Sequence, residues 1–473
     1  MEQVPNEAEP VPVDDDLEDD DDEEGRELTP GEAFYVRLSS LIATFSHRQS
    51  EVLRMSEYFA AREAEVNDAK QRAKRRIEQE LQEVDEGLLD RYLRIFEDFD
   101  VARDAEGVDR TERETAFADA LREIGRELPE GVDSTYLDAI LRSTSRSVGA
   151  GYLHSSLLMI LVGELEMFIN QVARACFEVR PAALDQGERT LTWSEIANYD
   201  SIADLRDWVV DRTIEDLLRG SLLDWVLFFE KRFGIPEIKA ARSFEAVESV
   251  QRRHCIVHNA GMASQQYLDK LADFPITVEL HDELEVDADY LARAADTMFL
   301  VGYSLTWALG VKLNPEPEWN EPLIGNLANR TMFLLQEQRL DLVRRIGEAV
   351  PLSSLKGEHG EQCALVFQVN RWIAFKELGE FDRVREEVEA FPVSTRSNNY
   401  KLAKLALLDE DDEAYEIAQR MIRDGDLLQS HLLTWPLLRG VRDVARSRER
   451  SESEGSDDMV GESREESLGE ERS

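Results

Sequence analysis

The sequence predicts an all-helical protein, and three observations carry that prediction. Apolar residues recur at three- and four-residue spacing through most of the chain, the period of a helix face and not of a strand. Helix-start signatures recur ahead of those runs. One segment, Leu153 to about Glu178, is apolar nearly all round, as a helix at the centre of a bundle must be.

In chain order, residues 1–27 form an acidic leader in which Asp14 to Glu24 holds ten acids and only Leu17 between them. Such a run repels itself and is expected to be disordered. Order is predicted to begin at Thr29-Pro30-Gly31-Glu32, a capping box with proline at the first helical position. Residues 28–147 then form a long helical region. Ile77, Leu81, Val84, Leu88, Tyr92, Ile95 and Phe99 make a coiled-coil-like seam in it, for a second copy or a neighbouring helix. A second box, Thr111-Glu112-Arg113-Glu114, opens a helix to about Leu128, and another helix is expected over 135–146. Ser147 to Gly151 is expected to be a hinge.

The block 152–314 forms one helical domain. A third box at Thr192-Trp193-Ser194-Glu195 is followed by helices over about 202–218 and 220–233, the latter stopped by Gly234-Ile235-Pro236. A further helix covers about 243–257, with Asn259 and Gly261 as left-handed terminators. Residues 275–286 are a candidate extended excursion, and a closing helix runs from about Asp287 to Leu309. Pro315-Glu316-Pro317 marks the next boundary. Residues 318–445 are predicted to be helical hairpins, with a loose likeness between Trp372–Phe391 and Leu402–Ile422 that suggests a TPR-like region. Residues 446–473 form a second acidic, disordered tail.

The formal net charge is −44, from 99 acidic and 55 basic residues, of which ten are lysines and 45 arginines. Acid excess with arginine favoured over lysine fits a protein of a salt-accumulating, haloarchaeal-type cytoplasm. The alternative is an ordinary acidic protein whose tails carry the charge. An acidic body opposes binding to a polyanion. At about 1 M salt, however, the Debye length is only about 3 Å, and short-range arginine–phosphate contacts still act. Cys176, Cys255 and Cys363 lie far apart, so no disulfide framework or zinc ribbon is indicated. No basic-then-apolar leader and no uninterrupted apolar run of about 18 residues is visible, so a cytoplasmic protein without a membrane partner is expected.

The chemistry concentrates in Arg252-Arg253-His254-Cys255-Ile256-Val257-His258-Asn259-Ala260-Gly261. Two guanidinium groups match phosphate oxygens, and two of the chain's seven imidazoles can exchange protons near neutral pH. If the helix ends near Val257, His258 leaves the axis and can meet Arg253, with Ile256 and Val257 anchoring the turn. Arg252 has a simpler role open to it, an ion pair with Glu248 four residues earlier. Cys255 is expected to be a packed thiol. His254 and His258 also have the spacing of a helical metal pair, but no third ligand accompanies them. Phosphate-binding loops, dinucleotide fingerprints and nucleophile elbows are absent, and no cofactor is expected.

An arginine, a polar residue, three further positions and a histidine, closing an apolar helix ahead of Asn and Gly, resemble the motif of the HEPN superfamily of helical ribonucleases and RNA-binding domains. The likeness maps onto Arg253, His254 and His258 and covers about residues 150–314. Glu248 with Arg252 and Arg253 resembles an extended form of the motif. The resemblance implies a metal-independent endoribonuclease that leaves 2′,3′-cyclic phosphate and 5′-hydroxyl ends. In it His258 would move the proton, Arg253 would stabilise the phosphorane and His254 would orient substrate or act as second acid/base. Arg252 and Asn259 would contact substrate and Glu248 would support them. It further implies an RNA substrate, a homodimer through the HEPN-like domain, and an antitoxin or regulatory protein as partner in a toxin or host-defence setting. The alternatives are a non-catalytic HEPN-fold module binding RNA, nucleotide or protein, and a helical scaffold.

Overall fold

The computed structural model describes residues 27–61, 91, 94–95, 110–127, 150–186, 191–352, 355–393, 397–448 and 450. Of these, 79% are helical and no strand is present among them, so the chain is all-α as predicted. The seam at 77–99, the helix expected over 135–146 and both acidic tails lie outside the described residues, apart from isolated positions.

Helix α1 (Pro30–Ala60) begins as its sequence dictates. Thr29 Oγ1 accepts from the Glu32 amide at 3.2 Å, and Pro30 takes the position where a missing N–H costs nothing. Its buried stripe, Phe34, Leu38, Ile42, Phe45 and Val52, faces two long helices, α3 (Ala150–Val179) and α9 (Ala288–Leu313). Between α1 and α3 lies α2 (Arg110–Glu127). Arg110 already opens this helix, so Thr111 sits inside it and does not cap it. Ala150 and Gly151, read as part of a hinge, are the first turn of α3.

Helices α1, α3 and α9 form the centre of the molecule. On α3, Leu158, Leu161, Val162, Leu165, Ile169 and Val172 are fully buried. This helix is long and apolar enough to cross a membrane, but half of its most apolar window is buried inside the fold. Phe45 of α1 stacks on Phe168 of α3 at 4.8 Å and on Phe299 of α9 at 6.1 Å. Burying one such ring contributes about 1.5–3 kcal/mol. A glycine is required where α9 crosses this stack. A Cβ at Gly302 would stand 3.0 Å from Phe45 and 3.1 Å from Phe168.

Short helices α4 (Trp193–Ile196), α5 (Ile202–Leu218) and α6 (Leu222–Phe233) follow α3. The box at Thr192 yields only the single turn of α4, with Thr192 bonded to Ser194. Ser221 and Asp224 form a complete capping box for α6, and Gly234 closes it in the left-handed conformation at φ 66°. Helix α7 (Phe244–His258) then packs against α3 and α9, and α8 (Gln265–Lys270) packs on α7.

After α9 the chain turns at Pro315–Pro317, but the core does not stop there. Asn314 Nδ2 donates to the Gly31 carbonyl at 3.2 Å, and Thr29 Oγ1 donates to Glu316 at 2.5 Å. Helix α10 (Asn320–Gln336) touches α1 and α9, and the Tyr303 hydroxyl donates to the Leu327 carbonyl at 2.8 Å. Helices α11 (Leu340–Ala349) and α12 (Gly357–Glu377) complete a side-by-side group with α10. After α13 (Arg385–Glu389), α14 (Asn398–Leu407) and α15 (Asp411–Asp424) pair as a hairpin, and α16 (Gln429–Thr434) follows. The likeness between Trp372–Phe391 and Leu402–Ile422 is uneven, because the second helix of the first segment is the five-residue α13. One hydrophobic core runs from Phe34 to Val441. The expected blocks 152–314 and 318–445 thus share this core with α1, a full wall of the central bundle.

Candidate functional site

Helix α7 starts at Ser243, whose hydroxyl accepts from the Ala246 amide at 3.2 Å. Val247 and Cys255 lie one above the other on the face that meets Ala263, Tyr267, Leu271 and Leu284, a small satellite core. Cys255 is buried and its sulfur lies 3.6 Å from the Ser264 hydroxyl, the packed thiol its apolar neighbours predict.

The buried half of α7 is organised by Glu248, whose side chain is only 2% exposed. It accepts from Arg252 Nε at 2.7 Å, from the Tyr267 hydroxyl at 2.7 Å and from the Tyr290 hydroxyl at 2.5 Å. Arg252 also donates to the Glu285 carbonyl and lies 4.2 Å over the Tyr290 ring. Burial alone would lower the Arg252 pKa, but Tyr290 and Glu248 outweigh it and hold it above its usual value. Burial and the nearby carboxylate push the Tyr267 and Tyr290 hydroxyls well up, so both stay protonated donors. Arg252 is held through Nε and Nη1, and 15% of its side chain stays exposed where it lines a pocket with Tyr290 and Arg293. Glu248 supports the helix by holding Arg252 and two tyrosines.

The other end of α7 is open. The helix continues through His258, one residue further than predicted, so His254 and His258 remain on one face. Their rings stand 4.6 Å apart between centroids, inclined at 50°. Arg253 and His258 do not converge by the expected route. Five residues on a continuing helix place them about 140° apart around its axis. Arg253 instead turns toward α3, where its Nη2 reaches Glu166 Oε1 at 3.3 Å with its side chain 30% exposed. Its Nε is buried without a hydrogen-bond partner. Burial, then His258, then Arg253 press the His254 pKa below the ordinary imidazole value. His254 is therefore a neutral acceptor at pH 7.

The stop beyond α7 differs in one respect from expectation. Asn259 is not left-handed (φ −134°); Ala260 at φ 51° and Gly261 at φ 79° are. The amides of Asn259 and Gly261 both donate to the Cys255 carbonyl, at 2.8 and 3.1 Å. Asn259 Nδ2 donates to the Met262 carbonyl at 2.6 Å, so one of its side-chain donors holds the turn. Val257 is exposed, and Ile256 alone of the two packs against the core. The excursion at 275–286 folds back on this turn. Met262 and Glu283 form an isolated antiparallel bridge, and the Leu284 and Ala263 amides donate to Gly261 and Asp282. It is extended chain, but no strand. His281 in this loop has φ 72°, a backbone setting that costs a non-glycine residue strain.

Of the residues singled out in the sequence, the structure thus brings His254, His258 and Arg253 to one open helix end and folds Glu248, Arg252 and Asn259 into the framework beneath it. Tyr267, Tyr290 and Glu166 were missed. Nothing near the motif signals Glu166, which lies 87 positions away in the chain. No group of three metal-ligating side chains is assembled among the described residues. What the open end can do is exchange protons between two imidazoles next to a guanidinium. No family model, no curated relative and no solved structure matches the chain.

Proposed function

We propose that the protein is a metal-independent endoribonuclease acting at the open end of α7. The observation that carries this reading is the His254–His258 pair, 4.6 Å apart beside Arg253. His254, held neutral, takes the proton from a ribose 2′-hydroxyl as its oxygen attacks the adjacent phosphorus. Arg253 stabilises the charge of the pentacoordinate phosphorus. His258 gives a proton to the departing 5′-oxygen. One P–O bond forms and one breaks, leaving a 2′,3′-cyclic phosphate and a 5′-hydroxyl. The likeness of Arg253, His254 and His258 to the HEPN motif supports the same chemistry. It extends the proposal to a homodimer with two motifs facing one cleft, to a toxin or host-defence role in the cytoplasm, and to an antitoxin as partner.

One observation favours a second reading. Glu166 beside Arg253 offsets the charge that phosphorane stabilisation needs, which leaves a module that does not cut and whose other contacts would carry any binding of RNA or nucleotide. RNA cleavage in about 2 M KCl, where screening is strong, with EDTA present separates the two. Cyclic-phosphate ends that disappear in both His258→Ala and Arg253→Ala support the nuclease. Intact RNA that is nonetheless bound by the wild type supports the module, and neither cleavage nor binding leaves a helical scaffold.

A further inference from the structure

A second site lies on the other side of the bundle, where α9 passes between the loop 236–240 and the C-terminal end of α11. The walls enclose an open cavity of about 630 Å³. That lies within the range of small-molecule sites, roughly 300–1,000 Å³. Its floor is one stripe of α9, formed by Leu300, Ser304, Trp307 and Ala308 at the spacing of a helix face. Trp307 is half-buried, with its ring edge-on to Phe367 at 5.8 Å. The floor is thus apolar and aromatic.

The rim carries charges of both signs, Glu237 and Glu348 against Lys239 and Arg345. Its two carboxylates have cationic partners outside the cavity, each shared with a second acid: Glu237 pairs at 2.8 Å with Arg242, which also holds Glu230, and Glu348 at 3.1 Å with Arg344, which also holds Asp341. Its two cations are not matched in the same way. Lys239 is exposed and has no carboxylate partner among the described residues. Arg345 donates to Thr297 at 3.2 Å and comes no nearer than 3.9 Å to Asp341. With 99 acidic residues against 55 basic ones, carboxylate partners are plentiful, yet Lys239 at the rim has none among the described residues.

We propose that this cavity binds a small aromatic carboxylate, its ring system on Trp307 and Leu300 and its carboxylate on Lys239, with Arg345 on the facing wall. An apolar floor supplies the affinity and a few polar groups at the rim fix the orientation. The facing walls come from the central bundle and from the C-terminal helices, so an occupant would tie the two together.

Isothermal titration of the whole protein with 2-naphthoate tests this, with 2-naphthol as the uncharged counterpart. The expected result is saturable one-to-one uptake of naphthoate, tighter than that of naphthol. Ser304→Trp, which fills the floor, should abolish it. Lys239→Glu, at an exposed position that leaves the fold alone, should weaken it about tenfold, as loss of a charge-assisted hydrogen bond does. No saturable uptake by the wild type overturns the proposal. So does uptake that neither substitution weakens, and naphthol bound as tightly as naphthoate overturns the role of Lys239.

Discussion

Helix α7 carries two polar clusters of opposite character, less than three turns apart. In the inner one, Glu248, Arg252, Tyr267 and Tyr290 satisfy one another out of water. In the outer one, His254 and His258 face each other in the open, and Arg253 keeps one nitrogen without a partner. The inner cluster is closed, so removing any member leaves another buried and unpaired. The outer cluster is open, so its members can be removed with little harm to the fold. Unspent hydrogen-bonding capacity is what a ligand uses, and the outer end has it at Arg253. The lesson is that two adjacent arginines, Arg252 and Arg253, part company because a single residue step turns a side chain by about 100° around the axis.

The comparison breaks most easily at Glu248. Glu248→Ala should cost about 3–5 kcal/mol in chemical denaturation, because Arg252 is left as an uncompensated buried charge. A loss under about 1 kcal/mol would mean the inner cluster is no more closed than a surface pair. His258→Ala is the complementary test. We expect it to lower RNA cleavage a hundredfold or more, while stability stays within about 0.5 kcal/mol. A destabilised variant would put His258 with the inner cluster.

Acidity sharpens the contrast. The depressed His254 pKa places the acid limb of the cleavage profile below about pH 6.5, the ordinary imidazole value. His254→Ala should remove that limb. The stability sign is the same: the folded form binds this proton less readily than the unfolded one, so stability falls as pH drops below about 6.5. Asn259→Ala should cost about 1 kcal/mol through the lost bond to Met262 and leave cleavage intact. The smallest effect is expected at Glu166. Glu166→Gln frees Arg253 and should tighten RNA binding by up to about fivefold, the worth of one exposed ion pair. Weaker binding would instead make Glu166 the residue that aims Arg253.

Much of the fold was legible because its signals are local. Thr29 and Pro30 start α1, Gly234 ends α6, and the helices 202–218 and 222–233 stand within two residues of their expected bounds. Local patterns also misled. The boxes at Thr111 and Thr192 have the right residues, but one lies inside a helix and the other opens a single turn. Placing α1 in the central bundle needed Phe45 to find Phe168 and Phe299, which no spacing within α1 encodes. At the site, the His254–His258 face followed from four-residue spacing. Its convergence with Arg253 rested on ending the helix one residue early, and the extra residue carried His258 round the axis. The pairing of Arg252 with Glu248 was readable at four residues, whereas Tyr267, Tyr290 and Glu166 approach only through the tertiary fold.

The packing of α1 against helices from much later in the chain has a consequence for how the chain reaches this shape. Gln49 of α1 meets Arg339 at the start of α11, 290 positions later in sequence. During synthesis α1 emerges well before α9, with which it packs. Contacts so distant in sequence form slowly, because the loop must be closed before they repay its entropy. The part of the Phe34–Val52 stripe that faces α9 therefore stays exposed until α9 is made, and in that interval it is a segment a chaperone would meet.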